Sequence, residues 1–166
     1  MNQLTLLMIF VTGILLTDCS KSHNSTNHIN CDGLTTDTLG TSDTAKIYMP
    51  NAFTPNADGL NDHSFPVSEN ISTIDFIIYD ENNNIVFETV QIGQGWTAAP
   101  EPGTYLKYYY KIQATTTSNH KIGMCGDLYA LKCIPSGMTM GDFHFQDQLS
   151  KNGFTLPTNE MLGNCP

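Results

Sequence analysis

Charged side chains are scarce in this sequence, and basic ones most of all. Only 14% of the 166 residues are charged, and seven Lys and Arg residues stand against sixteen Asp and Glu residues, which gives a formal net charge of −9. The basic residues are scattered, whereas a protein that binds a phosphate backbone needs clustered positive charge to release counterions. This composition excludes nucleic acid as a partner.

The motifs of the common enzyme classes are also missing. The sequence has no Gly-x-Ser-x-Gly elbow, no His-Glu-x-x-His motif, no phosphate-binding glycine loop and no dinucleotide fingerprint. None of the five histidines has a second histidine four residues away. We therefore predict that the protein is not an enzyme. A small hydrolase or a glycan-binding module that uses the region of Trp96 ranks below the binding functions described below.

The apolar run at residues 4–16 is too short to span a bilayer comfortably, since a membrane helix needs about 20 residues. Its length is typical of the hydrophobic part of a signal peptide. The run ends in Leu-Thr-Asp-Cys, which resembles a bacterial lipobox, where a peptidase cleaves before a Cys that becomes lipid-modified. We predict that residues 1–18 are a lipoprotein-type signal peptide and that Cys19 carries a lipid. An ordinary secretory signal with an incidental Cys19 is the alternative.

The cysteine count is odd, which is awkward in an oxidising compartment. The five cysteines are Cys19, Cys31, Cys125, Cys133 and Cys165. If Cys19 carries lipid, four remain for two disulfides. Cys125 and Cys133 flank a predicted strand and would lie up to about 26 Å apart at ~3.3 Å per residue, too far for a disulfide. Cys125 and Cys133 are therefore each expected to pair with either Cys31 or Cys165, and which pairs with which stays open. The sequence has no CxxC or HxxxH spacing, so we do not predict a zinc site.

Residues 19–45 are rich in Ser, Thr, Asn, Asp and Gly and predict a polar linker. From residue 46 onward, short apolar runs alternate with Asn, Gly, Asp and Pro turns, which is typical of an all-β domain. The predicted strands are residues 47–53, 73–80, 85–90, 105–115 and 128–134. We expect an all-β, immunoglobulin-like antiparallel β-sandwich of about seven strands over residues 46–134.

Residues 135–166 are predicted to form a C-terminal extension packed on the sandwich. Residues 142–146 alternate like another strand, whereas residues 146–152 could form a short helix closed by Gly153. No segment before residue 135 has helical periodicity.

Three patches carry a family resemblance. Residues 50–62 (PNAFTPNADGLND) resemble the signature of the gliding-motility-associated C-terminal domain, the type B sorting domain of the type IX secretion pathway. Residues 76–80 with 84–88 are similar to that family's hairpin, and Gly95-Trp96 with residues 102–105 are similar to its later elements. The resemblance covers about residues 46–134, including a closing strand at residues 126–131.

Such domains serve as an address for the secretion machinery and attach proteins to the cell surface. The resemblance therefore implies an exported protein. We predict a non-catalytic surface or outer-membrane lipoprotein module that acts in protein binding or assembly, associated with type IX secretion, gliding or adhesion machinery. Its partners would be the membrane, through the lipid, and outer-membrane or cell-surface proteins. A type B sorting and surface-attachment signal is the alternative.

The turn within the signature is a candidate calcium site. Four oxygen-bearing side chains surround Gly59, namely Asn56, Asp58, Asn61 and Asp62. Calcium takes six to eight oxygen ligands, and acidic and amide side chains round a tight turn are one way to supply them. The alternative is a structural turn in which these side chains bond their own backbone amides while Gly59 adopts a positive φ. We favour the structural turn, with no cofactor other than a possible structural calcium ion.

The remaining candidate residues are aromatic or lie beside aromatics. In the strand predicted at residues 105–115, alternate positions from Leu106 to Ala114 are expected to face the core. Tyr105, Lys107 and Tyr109 then point away from the core and fit either a partner-facing strip or an ordinary solvent face. Trp96 could stack on a partner, but a lone tryptophan beside a glycine more often plugs one end of a core.

Overall fold

The computed structural model describes residues 31–166. The predicted signal peptide, the predicted lipid attachment at Cys19 and the first part of the predicted linker lie outside these residues. Within them, no helix is long and apolar enough to cross a membrane.

Residues 31–166 contain nine strands and two short 3-10 helices. The strands are β1 (Lys46–Tyr48), β2 (Ala52–Phe53), β3 (Val67–Glu69), β4 (Ile71–Tyr79), β5 (Ile85–Thr89), β6 (Tyr105–Thr116), β7 (Lys121–Leu131), β8 (Leu149–Ser150) and β9 (Gly153–Phe154). The 3-10 helices are Met140–Asp142 and Gln146–Gln148. The prediction of an all-β fold is confirmed.

A five-stranded sheet in the order β2-β7-β6-β4-β5 forms the main layer. The second layer is the β1–β3 pair, and β8–β9 is a separate hairpin. The Asp80–Asn84 connection joins β4 and β5 as an antiparallel hairpin, as predicted. The expectation of a wholly antiparallel sandwich is wrong at one place, because β2 lies parallel to β7. A hairpin does not join these two strands, since β3, β4, β5 and β6 lie between β2 and β7 in the chain.

The principal core lies between the main sheet and the β1–β3 layer. It contains Met49, Phe53, Ile74, Phe76, Ile78, Tyr110, Ile112, Ala114, Leu128 and Ala130. The predicted inward face of β6 is confirmed at Tyr110, Ile112 and Ala114. Leu106, on the same face, is 40% exposed, because β4 ends at Tyr79 opposite Tyr109 and leaves the start of β6 uncovered.

The sequence had predicted that the last strand begins at residue 128, but β7 begins at Lys121. Gly123 and Gly126 look like turn residues, but both lie within the strand where other groups approach closely. A Cβ atom on Gly123 would lie 2.8 Å from Cβ of Leu34, and one on Gly126 would lie 3.0 Å from the Tyr110 ring. These glycines therefore mark close packing and not chain reversal.

A second core lies at the β2 end of the main sheet, where the C-terminal extension packs. It contains Ala52, Leu131, Ile134, Phe143 and Phe145. The predicted helix at residues 146–152 is wrong: a 3-10 turn leads into the β8–β9 hairpin, and Gly153, with φ +96°, begins β9. Burial of Phe145 on one side and contact of Phe154 with Tyr48 on the other hold this segment extended.

Candidate functional site

The signature turn, residues 54–62, folds around the carboxylate of Asp62. Its Oδ1 accepts hydrogen bonds from the amides of Asn56 (3.1 Å) and Ala57 (2.6 Å), and its Oδ2 accepts one from the amide of Gly59 (2.8 Å). Gly59 has φ +88°, a conformation that L side chains rarely adopt. This geometry matches the structural-turn interpretation of the sequence.

The same hydrogen bonds set the charge of the turn. Burial acts to raise the pKa of Asp62, but the three backbone amides outweigh it and the pKa is lowered. Asp58 also bonds within the loop, since its Oδ1 accepts from the amide of Leu60 at 2.8 Å. Both carboxylates are thus engaged within their own loop.

The structure separates one predicted calcium ligand from the other three. Asn56, Asp58 and Asp62 bond one another or the loop's amides, whereas Asn61 turns toward the C-terminal extension. Its Nδ2 donates to Oε1 of Glu160 at 2.9 Å, and its Oδ1 accepts from the amide of Asp147 at 3.0 Å. Across residues 31–166, no group of three or more His, Cys, Asp or Glu side chains could hold a metal ion. Calcium at this turn stays a prediction.

The extension also engages the residues on either side of the turn. Thr54 is fully buried and donates from its hydroxyl to Glu160, which is only 9% exposed. The amide side chain of Asn51 donates to the carbonyl of Asp142 at 3.0 Å and accepts from the amide of His144 at 2.6 Å. Sequence reasoning missed Asn51, Thr54 and Glu160 as a set, because their partners lie about 90 to 106 residues away along the chain.

The comparison with protein families identifies the segment that contains this turn. The family model described as the CHU_C type IX secretion signal domain matches residues 47–126. Residues 47–126 match a type IX secretion signal domain, and we call them by that name below. The match associates the chain with type IX secretion and indicates an exported protein, at the cell surface or the outer membrane. No curated protein and no solved structure matches the chain.

The predicted disulfides fix segments that lie outside the secretion signal domain. Cys31 bonds Cys125, across 94 residues, and Cys133 bonds Cys165, across 32 residues. Cys125 and Cys133 do not pair with each other, as the strand geometry had predicted. One bond thus holds the segment before the domain, and the other closes the C-terminal extension.

The segment before the domain crosses the outer face of the main sheet. We call residues 31–37 the N-terminal strap. The amide of Thr35 donates to Oε1 of Gln113 at 2.9 Å, and Nε2 of Gln113 donates back to the carbonyl of Thr35 at 3.0 Å. Asp37 accepts from the amide of Lys121 at 2.8 Å, and Leu34 packs over Gly123. The strap therefore lies along β6 and β7 of the secretion signal domain.

The predicted partner-facing strip divides into different environments. Tyr105 is 42% exposed. Lys107 is 3.0 Å from Asp127, and its ammonium lies 5.1 Å from the centre of the Tyr109 ring. Burial acts to lower the pKa of Lys107, but the Asp127 carboxylate outweighs it and the pKa is raised. Lys107 is thus an ion-paired side chain with an aromatic neighbour.

The expectation that Tyr109 belongs to a partner-facing strip is wrong, because Tyr109 is only 5% exposed and offers no open contact surface. It does face away from the principal core, as its alternation with Tyr110 predicted. That outer face is not bare, however, since the strap crosses it and Lys107 covers part of the ring. Alternation alone could not reveal this cover.

Trp96 lies at one end of the principal core. Its ring contacts Tyr108 (4.8 Å between centroids), Phe53 (5.8 Å) and Phe87 (6.5 Å). Its backbone pairs with Ser64 in both directions, at 2.7 and 3.0 Å. These contacts match the interpretation of Trp96 as a core plug of the secretion signal domain.

Proposed function

We propose that this protein is an exported, non-catalytic assembly module, tethered to a membrane by a lipid on Cys19, that binds proteins of the outer membrane or cell surface. The secretion signal domain supports export and a surface location. The lipobox-like sequence supports the tether. The family is one of secretion signals and not of catalysts, which supports a binding role.

The main support for the assembly role is that the C-terminal extension packs on part of the signature segment, residues 50–62. The polar side chains of Asn51, Thr54 and Asn61 are all hydrogen-bonded to the C-terminal extension. A segment that a transport machinery reads as an address must present its recognition groups to solvent or to that machinery. Here these three side chains are used internally, although residues 56–59 of the turn stay exposed, and this internal use favours a folded module over an exposed address.

The sorting-signal function remains the second candidate, and the family description itself favours it. A reporter protein separates the two. Fusing residues 31–166, which include both disulfides, behind a reporter with its own export signal tests whether the domain directs surface delivery in a bacterium with the type IX pathway. Surface delivery that needs the type IX machinery supports the sorting signal. Reporter retained in the periplasm supports the assembly module.

The tether is tested by labelling and fractionation. The full chain, grown with radiolabelled palmitate, is expected to incorporate label and to sediment with membranes. Cys19→Ser should lose the label and move to the soluble fraction, while Ser20→Ala, the matched neighbour, should behave like the parent. An unlabelled parent chain would remove the lipid from the proposal.

A further inference from the structure

Strand β5 forms one edge of the main sheet. The strand order is β2-β7-β6-β4-β5, so β5 pairs with β4 on one side only. Nothing in residues 31–166 forms a ladder with its other side. An edge strand presents a row of backbone amides and carbonyls that can pair with another chain, and natural proteins usually protect such edges.

This edge is unusually apolar. Residues 31–166 include nine exposed large hydrophobic residues, and four of them lie on β5 or just after it: Ile85 (55% exposed), Val86 (39%), Val90 (73%) and Ile92 (48%). They fall within eight residues of one another along the chain, so exposed apolar residues are concentrated at this edge. We call this set, with β5 itself, the β5 edge.

One acidic residue interrupts the apolar patch. Glu88 is exposed and lies in register with Ile77, on the outer face of the sheet. Val86 precedes it at the register shift of the β4–β5 pair, and Val90 follows just beyond the end of β5; both are exposed. The edge thus presents exposed apolar residues before and after one acidic residue.

Charge argues against a second copy of the chain as the occupant. Antiparallel pairing of two β5 strands centred on Phe87 would place each Glu88 diagonally from the other, about 7–8 Å away. It would also join two chains that each carry a formal charge of −9. A basic residue in the partner would instead complement both Glu88 and the net charge.

We propose that the β5 edge binds an extended segment of a partner protein, which adds to the main sheet as a sixth strand. The segment would carry a basic residue beside Glu88, with apolar residues before and after it. Backbone hydrogen bonds would supply the pairing, and the alternate side chains would supply specificity. This inference deepens the proposed assembly role and rests on it.

The probe for this site is the peptide acetyl-Thr-Val-Thr-Lys-Thr-Val-Thr-amide, titrated into the isotope-labelled mature chain with both disulfides formed. The matched control peptide has Glu in place of Lys. We expect the Lys peptide to bind about two- to fivefold more tightly, the range for one cross-strand charge pair. Amide signals of β5 should shift, and their hydrogen exchange should slow.

Charge reversal in the protein completes the test. Glu88→Lys should reverse the preference, so that the Glu peptide binds more tightly. Glu69→Lys, an equal charge change at the exposed end of β3, should leave the preference for the Lys peptide in place. If both variants reverse the peptide preference equally, the preference comes from the net charge of the protein and not from Glu88, and the proposal is overturned.

Three further results would also overturn it: no binding of the Lys peptide, protection of amides elsewhere than β5, or self-association of the parent chain through β5 in sedimentation experiments. None of these results bears on acylation of Cys19 or on delivery of the reporter. Failure of this site is therefore distinguishable from failure of the proposed function.

Discussion

At the scale of single residues, the signature turn shows what local chemistry can and cannot predict. The sequence predicts the positive φ of Gly59 and the use of Asn and Asp oxygens on backbone amides, because each partner lies within six residues. It cannot predict the orientation of Asn61, whose partners Asp147 and Glu160 lie 86 and 99 residues away.

The first prediction concerns Asp62. Its pKa is lowered in the folded protein, so its ionised form stabilises the fold above the ordinary value of 3.8, and this contribution disappears as the pH falls through the lowered pKa. Asp62→Ala should lower the melting temperature at pH 7, and the difference from the parent should shrink toward pH 3. Thermal unfolding followed by circular dichroism at several pH values measures this. A difference that is constant with pH would contradict the assigned hydrogen bonds.

A second prediction at this scale concerns Gly123. A methyl group there would meet Cβ of Leu34 at 2.8 Å and the backbone of Thr35 at 3.1 Å. Gly123→Ala should therefore lift the N-terminal strap or destabilise the fold by about 1–3 kcal/mol, as overpacking does. Hydrogen exchange of residues 31–37 reports the strap. Gly163→Ala is the control, since no atom lies within 4 Å of its added Cβ; equal effects of the two variants would argue against a packed strap.

At the scale of elements, the strands with clear alternation were predictable and the glycine-containing ones were not. Tyr110, Ile112 and Ala114 face the principal core as the pattern in β6 predicts. The first half of β7 was missed because Gly123 and Gly126 have the composition of a turn, and only tertiary contacts explain them. The helix expected at residues 146–152 failed for a similar reason, since packing of Phe145 and Phe154 overrides a weak local preference.

The C-terminal extension gives the prediction at this scale. Phe145 is fully buried in the second core, so Phe145→Ala should cost about 3–5 kcal/mol in the free energy of unfolding. Leu156→Ala, in the same extension but with its side chain 48% exposed, should change it by less than about 0.5 kcal/mol. Urea unfolding measures the free energy of unfolding of both variants, provided that its dependence on urea concentration has the same slope as in the parent. Similar values for the two variants would mean that the extension does not share the domain's core.

At the scale of the whole molecule, the Cys31–Cys125 bond joins the N-terminal strap to the secretion signal domain, and the Cys133–Cys165 bond closes the C-terminal extension. The length of the strand predicted between Cys125 and Cys133 excluded a bond between them from sequence alone. Which of the two remaining connectivities forms could be decided only from the fold. Removing the Cys133–Cys165 bond by Cys133→Ser with Cys165→Ser should cost about 2–5 kcal/mol. Unfolding in denaturant, with free thiols assayed on the parent, checks this. Free thiols on residues 31–166 of the parent, or unchanged stability of the variant, would contradict the assigned bonds.

Recovery of the full, tagged chain from native membranes in mild detergent tests the assembly role most directly. The account predicts that outer-membrane or cell-surface proteins co-purify in fixed proportion, and that Cys19→Ser loses them together with the membrane association. A chain that elutes alone from intact membranes, with no protein in fixed proportion, would contradict it.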